Sequence, residues 1–169
     1  MWPVVHQSTM TSKAYEYALN LLSARAYTSR NLRRKLVQKE FEPDEIEATM
    51  ERLTASKLLD DSKFAAEYAR QKLVAGGSAA RRVEQELQKK GIAREQAKEA
   101  VDSVVEDESV DAGASAEKAA RKKFKSLSGL EPDVQRRRLF GFLGRRGFAL
   151  DDVKRAVKTV MAAEEDSAD

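Results

Sequence analysis

The chain has no cysteine and only one histidine, His6, in 169 residues. Disulfides and thiolate metal centres are excluded, and any imidazole chemistry rests on a single residue near the start. Three prolines leave long helical stretches uninterrupted. Aromatic residues make up 7%, so the core falls mainly to Leu, Val, Ile and Ala. No apolar run approaches the roughly 20 residues that cross a bilayer. The opening Met-Trp-Pro-Val-Val-His lacks a basic segment followed by an apolar core, so no secretory signal is expected. A cytoplasmic protein without metal, cofactor or membrane association is the expectation.

What is present is charge and repetition. Charged residues make up 35%, hydrophobic residues 41%, and the net charge is +3. One pattern then occurs three times. Leu36, Lys39 and Phe41 precede Ile46, Met50 and Leu53. Leu87, Lys90 and Ile92 precede Ala97, Val101 and Val104. Leu143, Arg146 and Phe148 precede Val153, Val157 and Val160. The offsets from the first Leu are 3, 5, 10, 14 and 17 in every copy. A fixed order of Leu, base, apolar turn residue and apolar helix face marks one supersecondary unit used three times. Stacked units of this kind form extended bodies that bind long partners. The expected fold is all-α: three tandem three-helix repeats forming an elongated, curved, right-handed or solenoid-like body.

Local signals set the boundaries. Tyr15, Ala18, Leu19 and Leu22 form a first apolar stripe. Thr28 or Ser29 caps a second helix carrying Leu32 and Leu36, and Pro43 opens a third. The pair Asp60-Asp61 is read as a helix cap rather than a metal pair, because no His or third carboxylate lies at ligand spacing. Phe64, Ala65, Tyr68 and Ala69 give the next stripe, with Phe64 and Tyr68 expected in the core. Gly76-Gly77-Ser78 is a turn, and Gly91 and Gly147 are left-handed helix ends. Ala116, Ala119, Ala120 and Phe124 open the last unit, Pro132 restarts it, and Leu139, Phe140 and Leu143 face inward. The resulting organisation is an arm over 1–11, repeats over 12–57, 58–108 and 109–163, and an acidic tail over 164–169. Nine helices and no strand are predicted.

Charge segregates by position in the repeat. Middle segments 28–39, 78–90 and 133–146 carry five, four and five bases against none, two and one acids. Third segments 43–56 and 93–108 carry four and six acids against one and two bases. Only 149–163 departs, with two acids and three bases. In register, the middle helices make a basic ridge suited to a phosphate backbone or an acidic protein groove. Its candidate members are Arg30, Arg33, Arg34 and Lys35 in the first repeat and Arg81, Arg82, Lys89 and Lys90 in the second. Arg136, Arg137, Arg138, Arg145 and Arg146 complete it in the third. The competing reading is a set of solvated helix faces rich in good helix formers. Gly144-Arg145-Arg146-Gly147 also fits a GxxG backbone clamp, but the strands that flank such a loop are absent. No catalytic site is expected, since Ser/His/Asp chemistry would have to use His6.

These residues resemble the RecX family of recombinase regulators. The resemblance rests on Leu21-Leu22-Ser-Ala-Arg25 with Ser29, Leu32, Lys35 and Leu36. It continues through Leu53 and Leu58-Leu-Asp60-Asp61-Ser-Lys-Phe64-Ala65-Ala-Glu-Tyr68. Glu86-Leu87-Gln-Lys-Lys90-Gly91-Ile92 and Leu143-Gly-Arg145-Arg146-Gly147-Phe148 complete it. The ordered set spans about residues 14–160. It implies three tandem three-helix repeats, and a non-enzymatic protein that binds the RecA filament on DNA. Inhibition of RecA ATPase and strand exchange, and modulation of recombination and the SOS response, follow from the same resemblance. A monomer is expected, with weak direct DNA contact as an additional property. Direct DNA binding through the ridge is the alternative function. Glu40 stands where the family pattern has glycine, which puts the sharpness of that turn in question.

Overall fold

The computed structural model describes residues 12–165. The arm over 1–11, with His6, and the tail residues 166–169 lie outside the described residues. Among those described there are nine α-helices and no strand. In the first repeat these are α1 (Lys13–Ala24), α2 (Ser29–Gln38) and α3 (Pro43–Ala55). The second holds α4 (Asp61–Arg70), α5 (Ala80–Lys89) and α6 (Arg94–Asp107), and the third α7 (Ala112–Phe124), α8 (Pro132–Arg145) and α9 (Leu150–Glu165). A π-helical turn, Gln71–Ala75, extends α4, and a 3₁₀ turn, Lys125–Leu127, extends α7. Neither was signalled by the sequence. The chain divides into two compact units, which meet between Phe64 and Ala65 inside α4.

The repeated sequence pattern has a stereochemical cause. At the end of α5, Ile92 N–H donates to Leu87 C=O at 3.1 Å and Gly91 N–H to Gln88 C=O at 2.9 Å. At the end of α8, Phe148 N–H donates to Leu143 C=O at 3.4 Å and Gly147 N–H to Gly144 C=O at 3.0 Å. This paired arrangement satisfies the last carbonyls of a helix and brings the residue after the turn against the Leu that begins the motif. Leu87 and Ile92 are both buried, as are Leu143 and Phe148. It requires left-handed backbone between them, and Gly91 and Gly147 supply it at φ 98° and 85°. The base at offset 3 is the C-cap residue in all three repeats: Lys39, Lys90 and Arg146.

Glu40 resolves the question raised by the missing glycine. It adopts φ 59° and its N–H donates to Val37 C=O at 2.9 Å, so the turn is kept despite the side chain. A left-handed non-glycine residue costs about 1–2 kcal/mol, partly offset by the smaller entropy Glu loses on folding. Glu40→Gly is therefore expected to stabilise the chain by about 0.5–1 kcal/mol. An unchanged urea midpoint would refute that estimate.

The unit ending at Phe64 has its own core of Ala14, Tyr15, Ala18, Leu32, Leu36, Ile46, Met50, Leu53 and Leu59. Thr28 caps α2, accepting from Asn31 N–H at 3.3 Å. Asp60 caps α4, accepting from Lys63 N–H at 2.9 Å, while Asp61 accepts from Ser29 N–H at 2.8 Å. The acid pair thus serves two helix starts, one its own and one distant in sequence. In the unit beginning at Ala65, α5 packs on α6, and α7 packs chiefly on α9. Its third-repeat core joins Ala116, Ala120, Leu127, Leu139, Leu143, Val153, Val157 and Val160. Leu139 and Leu143 are buried within this core, and Phe140 is half-buried and packs against it.

Candidate partner-binding surface

The base that ends each middle helix lies over an aromatic ring. Lys39 Nζ is 5.5 Å from the Tyr17 ring centroid, Lys90 Nζ is 5.0 Å from Tyr68, and the Arg146 guanidinium is 4.6 Å from Phe142. Tyr17 and Tyr68 occupy equivalent places in their repeats, on α1 and α4. These contacts fix a long cationic side chain at the helix end by attraction to the ring quadrupole.

Around Tyr68 the cations gather more densely. Its hydroxyl donates to Glu86 Oε2 at 2.7 Å, and Arg82 Nε donates to Glu86 Oε1 at 2.9 Å. Lys72, carried by the π-helical turn, lies 3.8 Å from Glu86 and 5.3 Å from the Tyr68 ring centroid. Burial, and then the hydrogen bond to the Glu86 carboxylate, push the Tyr68 phenol far above its ordinary value. Burial acts to raise Glu86, but bonds from Tyr68 and Arg82, with the Lys72 and Arg82 charges, bring it below the usual carboxylate range. Arg82 and Lys72 flank the one carboxylate and Lys90 lies over the Tyr68 ring, so the cluster keeps a positive excess. Tyr68 is consequently not a plain core residue: it is half-buried and organises charge.

The other candidate bases separate by what they touch. On α2, Arg33 forks onto both oxygens of Glu47 in α3, with Nη2 to Oε2 at 3.0 Å. That hydrogen bond holds the Arg33 guanidinium above and the Glu47 carboxyl below their ordinary values. Arg30 and Arg34 are exposed, Lys35 is half-buried, and none of the three has a carboxylate partner among the described residues. On α5, Arg81 and Lys89 are exposed, two turns apart on one face, and similarly without an acid. On α8, Arg136, Arg137, Arg138 and Arg145 are exposed, again with no described acid in reach.

Arg146 differs from the rest. Its guanidinium donates to the carbonyls of Gly76 and Gly77, the latter at 3.0 Å, and its own carbonyl accepts from Ala79 N–H at 3.1 Å. It ties the end of α8 to the turn before α5.

Lys72 and the basic end of α7, where Lys123 lies 5.9 Å from the Phe142 ring centroid, are not among the expected bases. No group of three side chains suited to a metal ion occurs among the described residues, and no helix there is long and apolar enough to cross a membrane.

The arrangement defines an all-helical repeat protein whose middle helices present cations and whose helix ends are pinned by base–ring contacts. Three successive stretches match the family descriptions of the first, second and third three-helix domains of RecX, over residues 14–53, 60–101 and 112–157. The chain belongs to the RecX family. The regulatory protein RecX of Trichlorobacter lovleyi is 33% identical over 151 residues, covering 87% of this chain and 95% of that one. The regulatory protein RecX of Halorhodospira halophila is 35% identical over 150 residues, covering 88% and 87%. The crystal structure of RecX from Lactobacillus salivarius superposes with a TM-score of 0.66 at 22% identity, over 88% of this chain and 94% of that one, and shares its fold. The named relatives are regulatory proteins, and a regulatory role of the RecX kind is what this membership supports.

Proposed function

We propose that this protein binds the RecA filament on DNA and restrains its ATP hydrolysis and strand exchange, and with them SOS-related activity. It acts as a cytoplasmic monomer and performs no catalysis of its own. The observation that carries this reading is the ordered match to all three RecX domains. The exposed guanidiniums without acid partners supply the chemistry. Arg30 and Arg34, Arg81, and Arg136 to Arg138 suit acidic side chains or phosphates of a filament. Direct binding to naked DNA is the second reading, favoured by those same guanidiniums.

The two readings separate by fluorescence anisotropy with a labelled single strand, bare or coated with RecA and a non-hydrolysable ATP analogue. The filament reading predicts tighter binding to the coated strand. Equal affinity for bare DNA, with a steep loss in salt, would favour the second. Within the first reading, Arg34→Glu with Arg81→Glu is expected to weaken filament binding about tenfold at unchanged helix content. Those positions are chosen because Arg33 and Arg82 are engaged by Glu47 and Glu86. Lys98→Gln on α6, where Lys98 pairs with Asp102, serves as the comparison and should change binding by less than about twofold. Equal losses at the two sets would remove the middle helices from the interface.

A further inference from the structure

One surface of the third repeat is unlike the ridge. Between α8 and α9 lies a half-open groove of about 440 Å³, lined by Arg136, Phe140, Lys154, Val157, Lys158, Met161 and Ala162. Its floor is apolar. Phe140 is half-buried, and Val157 and Met161 are buried in the core below. Among the described residues its lining contains three cations and no carboxylate. Lys154 and Lys158 stand one turn apart on α9, and both are exposed. This explains the one exception in the charge pattern: α9 is the third helix whose segment carries more bases than acids.

From this geometry we infer that the α8–α9 groove is a docking site for an acidic peptide segment bearing one or two large apolar side chains. Charge complementarity selects the acidic component: carboxylates of the segment meet Arg136, Lys154 and Lys158, the guanidinium being able to take one with both nitrogens. The floor selects the apolar component. A phosphate backbone would satisfy the cations but leave the exposed part of the Phe140 ring in water, whereas an apolar side chain removes that surface from water. Met161 adds an adaptable thioether, which accommodates side chains of differing shape. The volume falls within the range of binding clefts that enclose a few anchoring groups. Along α9 the groove runs from Lys154 to Ala162, about 12 Å at the helical rise. That length admits roughly four residues of extended chain or two turns of a helix. The inference concerns a peptide of this chemistry whatever protein carries it, and Arg136 is the one residue it shares with the filament reading.

The test uses the full chain and a fluorescein-labelled decapeptide that alternates Glu and Asp with a central Phe-Leu pair. A second peptide replaces every carboxylate with its amide, a third replaces Phe-Leu with Ser-Ser, and a labelled oligothymidylate represents nucleic acid. Anisotropy is expected to show saturable binding of the first peptide, weakened at least about tenfold in either replacement peptide. The Lys154→Glu, Lys158→Glu double variant should lose the acidic peptide to the same extent, because both side chains lie on the surface and their reversal leaves the core intact. Amide chemical-shift changes should cluster on α8 and α9. The proposal is overturned if the acidic peptide fails to bind or binds the double variant equally well. It is also overturned if the Ser-Ser peptide binds as tightly as the first, or if oligothymidylate displaces the acidic peptide from α8 and α9.

Discussion

Gly147→Ala is expected to destabilise the chain by about 2–4 kcal/mol, while Gly144→Ala, three residues earlier, should stabilise it by about 0.5–1 kcal/mol. Both glycines belong to the same GxxG stretch, so the contrast isolates local physics. Gly144 lies inside α8, and a Cβ added there meets nothing within 4 Å. Alanine at that site simply reduces the entropy lost on helix formation. Gly147 has φ 85°, and its added Cβ would sit 2.8 Å from the Cβ of Arg82. That neighbour is the root of a side chain rather than its flexible end, so relief requires backbone movement in α5. The left-handed penalty and the overlap therefore add. Urea unfolding of the two variants followed by far-ultraviolet circular dichroism checks this, and similar midpoints for both would contradict it.

Arg146→Ala is expected to lower stability by about 2–3 kcal/mol. The guanidinium makes charge-assisted bonds to two carbonyls of the turn before α5, Gly76 and Gly77, and lies on Phe142. Its loss leaves both carbonyls without that donor. They are only half-buried, so water replaces part of the interaction and the estimate stays below the sum of two buried bonds. Arg146→Lys keeps the charge but not the planar fork, and should fall between wild type and Ala. Hydrogen exchange should speed up selectively at the turn carrying Gly76 and Gly77. A variant as stable as the parent would show that this contact contributes nothing to the coupling of second and third repeats. This result also bears on binding, because Arg146 is the member of the basic set most committed within the chain. Arg81 and Arg137 should matter more to a partner.

Much of the fold was legible because its signals are local. The Leu at the third position from a helix end, the base at its cap, the left-handed residue and the apolar residue after it form one hydrogen-bonded motif, and its spacing survives in all three copies. Pro43, Thr28 and Asp60 likewise act within four residues of themselves. What escaped was set by contacts distant in sequence. Arg146 and Gly76 are 70 residues apart, and no spacing rule reports which carbonyl a guanidinium will find. The pairing of Arg33 with Glu47 depends on how α2 lies on α3. Lys72 reaches Glu86 from a π-helical turn, a deviation from the regular 3.6-residue period that no hydrophobic pattern announces. For the same reason the α8–α9 groove appeared in the sequence only as an unexplained excess of bases in one segment.

The most direct measurement is the rate of ATP hydrolysis by RecA on single-stranded DNA as this chain is titrated in. The proposed function predicts inhibition that saturates well below one copy per RecA subunit, on the premise that three tandem repeats together contact several subunits of the filament. Hydrolysis that continues undiminished in the presence of excess protein would contradict it.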